Sequence, residues 1–230
     1  FSYEIMFEEE TSVRFKRMEK TASKAVSKWF IQDSERSSLI AMENGLDLER
    51  CFTLPLASKG IGEFPAYRLR DELGIPRDVK VAMIMGSLTS WSMSYDILSM
   101  VPLLPVDWCL IVHGRYGEAR NYVHRTGLDL SDYLGKALFI SDTSLGMVDD
   151  MGYLLSGVDA GLAFYRPDYS GCYTGKNLGH LGMASGKVST FLRYGIPLVM
   201  NRFGKYAELA EQHGFGVCVD LSLIHISEPT

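Results

Sequence analysis

The sequence predicts an α/β protein built on a Rossmann-like parallel sheet with helices on both faces, and three observations carry that reading. From Arg77 onward, short apolar runs alternate with helix-forming stretches. The runs, such as VKVAMIMGSL at 79–88, are continuously apolar, as strands covered on both faces are. Candidate ligand residues, among them Gly86, Arg115, Ser141 and Tyr165, follow directly after the runs. They therefore share the carboxyl edge, where sheets of this kind hold their ligands.

The elements follow in order. Phe15, Met18, Ala22, Ala25 and Trp29 recur at steps of three and four, which predicts a helix over 10–28 with one apolar face. Arg17, Lys20, Lys24 and Lys28 form a second, basic stripe, either a solvated face or a contact for an anionic membrane surface. WFIQD predicts a short strand, SERSSLIAMENG a helix opened by Ser34 and closed by Gly45, and CFTLPLA a second strand. Residues 58–78 mix Gly, Pro and charge without periodicity and are expected to connect two domains. Beyond them come strands over 79–88, 107–115, 136–142, 159–165 and 196–201. Helices over 94–104, 118–126, 145–157, from 185, and over 205–214 separate or follow them, and a long polar loop starts at Arg166.

Composition narrows the function classes. At 230 residues with 47% hydrophobic side chains, the chain has material for a substantial core. A net charge of −5 with both signs mixed along the chain offers no general case for nucleic-acid binding. Cys51, Cys109, Cys172 and Cys218 have no C-x-x-C spacing, so zinc and dithiol chemistry lack a motif and free thiols in a reducing compartment are expected. No apolar run approaches the roughly 20 residues of a membrane span.

The strongest local signal is Ser185, Gly186 and Lys187 at the start of a predicted helix. The first turn of a helix offers unpaired N–H groups and a positive dipole end, so the chemistry it suits is phosphate. The stretch is not a Walker loop, because Leu181 and Val188 occupy positions that need Gly and Ser or Thr. Neither HGRYG nor HGFG supplies the spaced glycines of a dinucleotide fingerprint, and GMASG misses a nucleophile elbow. Gly86 and Ser87 end the first strand of the larger sheet, where glycine either relieves a turn or admits a ligand. Arg115 either forks onto a phosphate or makes a surface ion pair. The loop from Ser141 to Leu145 either presents backbone groups to a base ring or is a plain connection.

Taken together, DAGLAFY, the polar loop holding Asn177, SGKVSTFLRYGIPLVMN and YAELAEQHGFGVCVD resemble the donor-binding C-terminal half of a GT-B glycosyltransferase of the group 1 kind. FIQDSERSSLIAMENGLDLERCFTLPLA is similar to the last αβ unit of the acceptor domain, and the resemblance runs from Glu10 to Asp220. It implies that Gly86, Ser87, Arg115, Ser185, Gly186 and Lys187 face the diphosphate of a nucleotide-sugar donor. Ser141, Thr143, Tyr165, Asn177 and Thr190 are the candidates for base or sugar contacts. Thr190 stands where many retaining members carry a glutamate.

The resulting expectation is a sugar transfer from a nucleotide sugar to a saccharide or lipid acceptor, without a metal or other cofactor. A nucleotide-sugar epimerase of the same fold and a noncatalytic nucleotide-binding subunit are the alternatives. Residues 1–64 are expected to be the end of the acceptor domain and hinge, and 65–220 the donor domain. LSLIHISEPT at 221–230 resembles a translated sequencing adapter. The chain is expected to be a cytoplasmic fragment, peripheral at a membrane through its basic stripe, and inactive in transfer by itself because its acceptor half is incomplete.

Overall fold

In the computed structural model, which describes residues 4–58, 60–66, 68–143 and 151–221, the chain forms two separate parallel sheets, one of two strands and one of six. The smaller sheet comes first in sequence. A single 3-10 turn at Glu8–Glu10 precedes helix α1 (Val13–Ser23), which Ser12 caps by accepting the Phe15 N–H at 3.3 Å. Strand β1 (Trp29–Ile31), helix α2 (Ser34–Asn44) and strand β2 (Cys51–Thr53) follow, with Trp29 level with Cys51 in the ladder. Asp33 caps α2 and Gly45, at φ +67°, ends it.

The expected αβαβ order is present, but α1 departs from its reading in two ways. It stops at Ser23, leaving Trp29 to β1. Its apolar side also faces outward: Phe15 and Met18 are 54% and 60% exposed, while Lys16 is only 1% exposed. Lys16 turns inward because its ammonium is paired there, with Glu19 at 2.9 Å, Glu43 at 3.3 Å and the Met6 carbonyl. Periodicity establishes that a helix has two faces; the neighbours decide which is covered.

The stretch expected to be a plain connector contains helix α3 (Leu69–Glu72), whose buried Leu69 belongs to the core of the larger sheet. That sheet is assembled from β3 (Lys80–Gly86), β4 (Trp108–Gly114), β5 (Leu138–Ser141), β6 (Ala160–Ala163), β7 (Leu198–Asn201) and β8 (Gly216–Val219). Helices α4 (Ser94–Ser99), α5 (Ala119–Arg125), α6 (Gly152–Leu155), α7 (Lys176–Gly179), α8 (Gly186–Arg193) and α9 (Gly204–His213) lie between them. All strands are parallel, in the order β5-β4-β3-β6-β7-β8. Successive strands step outward one way from β3 and then the other way from β6. This is a doubly wound sheet with its reversal between those two strands.

Both faces are covered. Val81, Met83 and Met85 pack with Ile111, Leu69 and Phe191 on one side, whereas Ala82 and Ile84 pack with Leu110, Val112, Leu98 and Val123 on the other. This explains why the strand runs are continuously apolar. Gly161 in β6 lets α8 settle directly on the sheet, since a Cβ there would lie 2.6 Å from the Phe191 ring. The tail from residue 222 lies outside the described residues, as do residues 144–150 of the helix expected over 145–157, of which α6 is the described part. Among the described residues no helix is long and apolar enough to cross a membrane.

Candidate functional site

The reversal of strand order creates the crevice. β3 pairs with β4 along its whole length, from Lys80–Trp108 to Gly86–Gly114, but with β6 only at Ala82–Ala160 and Met83–Gly161. Past Met83 the β3–β6 ladder ends, and the chain continues to Gly86 on one side and Tyr165 on the other. Gly86 adopts φ +95°, a conformation that favours glycine, and a Cβ on it would stand 3.8 Å from Cε of Lys187. The loop after it is pinned by the fully buried Ser92, whose hydroxyl accepts the Thr89 N–H at 3.0 Å and donates to the Ser87 carbonyl at 2.9 Å.

Across the crevice stands the N-terminus of α8. Ser185 is its cap: the hydroxyl accepts the Val188 N–H at 3.1 Å and is hydrogen-bonded to the Tyr165 hydroxyl at 2.5 Å. The Tyr206 hydroxyl, from α9, accepts the Ser185 N–H at 3.1 Å. Burial raises the Tyr165 phenol above its ordinary range and the Tyr206 phenol to about 12, so both are neutral donors or acceptors at physiological pH. Tyr165 lies between Trp91 and Phe203, with ring centroids 6.2 and 5.8 Å away.

Lys187 is the unusual member. Its ammonium is buried, 5.6 Å from the centre of the Tyr165 ring, and it has no hydrogen-bond partner among the described residues. Burial lowers its pKa to about 8. A charged amine held without a counter-ion near the positive end of a helix dipole is costly twice over, once through lost hydration and once through repulsion. An anion seated at this helix start would relieve both.

The structure brings Gly86, Tyr165, Ser185, Gly186 and Lys187 together around this point. Ser87 adjoins Gly86. Arg115 sits on the neighbouring strand end, joined to Gly86 by its own N–H at 3.4 Å from the Gly86 carbonyl. Its guanidinium lies over the Tyr116 ring and forms no ion pair among the described residues. Thr190 is one turn into α8 and donates to the Gly186 carbonyl at 2.8 Å. Ser141 and Thr143 lie at the end of β5, two strands from the reversal, and Ser141 is turned inward to the buried His113, 3.1 Å from its Nδ1. Burial holds that imidazole below its ordinary pKa.

Asn177 has a different occupation from the one expected. It is buried, its Oδ1 accepts from the Ile5 N–H at 2.7 Å and Arg36 Nη2 at 3.1 Å, and its Nδ2 donates to Glu4 and to the Tyr173 carbonyl. Its amide is thus committed to joining the N-terminal segment to the larger sheet, with nothing left over for a base or sugar. In the basic stripe, Arg17 and Lys24 are exposed, Lys20 pairs with Glu8 at 2.6 Å, and Lys28 lies over the Phe52 ring.

Sequence reasoning missed Trp91, Phe203 and Tyr206, which hold Tyr165 and Ser185 in place, and also Asp33, the cap of α2, and Arg36 within it. Trp91 and Phe203 stand singly in polar loops and Tyr206 near the start of a helix, positions with no periodic pattern to mark them. Asp33 and Arg36 reach the site region across roughly 150 intervening positions, as in the Asp33–Met183 contact, and no local pattern signals that.

No family model matches the sequence, and no curated protein matches it either. Solved structures do. HepE from Anabaena, crystallised with UDP-glucose, is 19% identical and superposes with a TM-score of 0.62 over 97% of this chain and 59% of its own. Sucrose-phosphate synthase from Thermosynechococcus elongatus is 13% identical, with a TM-score of 0.56 over 94% of this chain and 51% of its own. A glycosyltransferase from Rickettsia africae is 14% identical, with a TM-score of 0.53 over 91% and 53%. The chain therefore spans only slightly more than half the length of these structures. What it shares with them is the GT-B glycosyltransferase fold.

Proposed function

We propose that this chain holds the diphosphate of a nucleotide-sugar donor at the N-terminus of α8, as part of a glycosyltransferase acting on a saccharide or lipid acceptor. The observation that carries the reading is the buried ammonium of Lys187, unpartnered among the described residues and placed at the reversal point of a doubly wound sheet. The fold supports it, because HepE shares that fold and was crystallised with UDP and with UDP-glucose.

In the transfer, the bond between the anomeric carbon and the donor phosphate oxygen breaks, and its electron pair leaves on the diphosphate. The acceptor hydroxyl oxygen bonds to that carbon, and its proton passes to the departing diphosphate oxygen or to water. Negative charge grows on the departing diphosphate, where Lys187, the free N–H groups opening α8 and Arg115 would oppose it. This supply of positive charge lets the proposed reaction proceed without a metal.

Binding is proposed for this chain, and transfer for a protein with the full two-domain length of its structural neighbours. The proposal extends to peripheral contact with an anionic membrane through α1, whose outward side sets Phe15 and Met18 beside Arg14, Arg17 and Lys24.

Titration calorimetry with UDP tests the donor site. Ser185→Ala and Lys187→Ala should each weaken binding by roughly 1–3 kcal/mol, as for charge-assisted contacts. Unchanged affinity in both would remove the assignment. Acceptor-dependent release of nucleoside diphosphate by the longer protein separates a transferase from an epimerase, which would interconvert free nucleotide sugars, and from a binding subunit, which would do neither.

A further inference from the structure

The loop that leads into α8 is held by the other half of the molecule. Asp33, the cap of α2, divides its carboxylate between two tasks. Oδ1 accepts the Arg36 N–H at 2.9 Å and starts its own helix, while Oδ2 accepts the Met183 N–H at 2.8 Å. The carbonyl of the same residue, Met183, accepts the Leu56 N–H at 3.2 Å. Arg36, fully buried, donates through Nη1 to the His180 carbonyl at 2.6 Å and through Nε to Gln32 at 2.9 Å. Three backbone groups between positions 180 and 183 are thereby fixed by α2, its cap and the segment that follows β2.

The fit is close enough to demand glycine. Gly182 has φ +52°, and a Cβ on it would collide with Asp33 Oδ2. Farther along α8, Ser58 donates its N–H to the Ser189 hydroxyl at 2.7 Å, so the grip continues past the first turn.

We infer that Asp33 and Arg36 are positioning residues for the anion site, fixing the loop at 180–183 so that α8 presents Lys187 inside the crevice. The inference rests on the reading of Lys187 as the anion-binding group. Its physical basis is that an unpaired buried ammonium gains hydration by moving outward, so something must hold the backbone that carries it. The only residues between that loop and the ammonium are Ala184, Ser185 and Gly186. The clamp also couples the two halves: whatever shifts α2 shifts the first turn of α8.

Asp33→Asn separates the two tasks. Asparagine caps helices well and can keep its oxygen on Arg36 N–H, but it then turns an amide donor toward the Met183 N–H. The 230-residue chain carrying this substitution is titrated with inorganic pyrophosphate, and the Lys187 titration is followed by NMR of ¹³C-labelled lysine without ligand. The expected result is pyrophosphate affinity reduced about tenfold, as for loss of one hydrogen bond to a charged group, with the Lys187 pKa rising from about 8 toward the ordinary lysine value. If Asp33→Asn does not fold, Gly182→Ala, which pushes Asp33 away from the loop, is expected to give the same two changes. A folded Asp33→Asn or Gly182→Ala variant with both quantities unchanged overturns the positioning role. Should the parent chain not bind pyrophosphate while Asp33→Asn still moves the Lys187 titration, the positioning role stands and the donor-site reading falls.

Discussion

The six-stranded half and the two-stranded unit both bury an apolar core, but they treat their charged side chains differently. Around the larger sheet, apolar side chains such as Met83, Ile111 and Phe191 are buried, and the buried ammonium of Lys187 has no hydrogen-bond partner among the described residues. In the smaller unit an apolar core of Ile5, Phe7, Trp29, Ile31 and Ile40 shares the interior with charged side chains. Lys16 and Arg36 are buried and well partnered, while Val13, Phe15, Met18, Phe52 and Leu54 remain exposed. Two parallel strands offer too little surface to cover helices on both sides, so α1 settles on whichever side finds specific partners. The difference teaches that a buried charge whose groups are saturated, as in Lys16, is explained by the fold alone, while the Lys187 ammonium is not.

The largest expected effect strikes the conventional core. Phe191→Ala removes a fully buried ring seated against Gly161 and should cost about 3–5 kcal/mol, read as a lower midpoint in urea unfolding. A loss below about 1 kcal/mol would mean that α8 is not truly packed on the sheet.

A smaller effect, of opposite sign, is expected at the proposed anion site. Lys187 has its folded-state pKa lowered to about 8, so between there and the ordinary value near 10.4 the unfolded chain binds more protons than the folded one. Stability should therefore rise as pH increases through that window. Lys187→Met should lose that rise, be more stable than the parent by up to roughly 3 kcal/mol at pH 7, and bind UDP poorly. If Lys187→Met proves less stable than the parent, the ammonium is a satisfied structural charge and the contrast with Lys16 collapses.

The smallest stability effect belongs to α1. Phe15→Ser combined with Met18→Ser should change stability by less than about 0.5 kcal/mol, because both side chains already face out. The same pair should abolish co-sedimentation with anionic vesicles while leaving zwitterionic vesicles unbound throughout. Destabilisation well beyond that amount would show that the face is covered in solution, and undiminished sedimentation would remove the membrane proposal.

Much of the fold was legible in the sequence, because a strand buried on both faces must be apolar along most of its length, and β3, β4 and β5 are, with Lys80, His113 and Ser141 only at or near their ends. Strand β8 escaped notice since it is an edge strand, only half-buried. Helices α3 and α7 escaped because each is four residues long, too short for periodicity to show. At the site, Ser185–Lys187 stood out through local chemistry, a helix start with small residues and a cation.

The sequence by itself thus determined the alternation of strands and helices, the carboxyl-edge placement of the candidate ligands and the helix start at Ser185, all of which depend on neighbours a few residues away. Only the tertiary structure decided that the Lys187 ammonium is buried without a hydrogen-bond partner among the described residues, that the Asn177 amide bonds to Ile5 and Arg36, that α1 turns its apolar side outward and that Asp33 holds the loop before α8. Each of those depends on groups brought together from distant positions, and hydrogen bonding and desolvation act on distance in space, which residue order does not record.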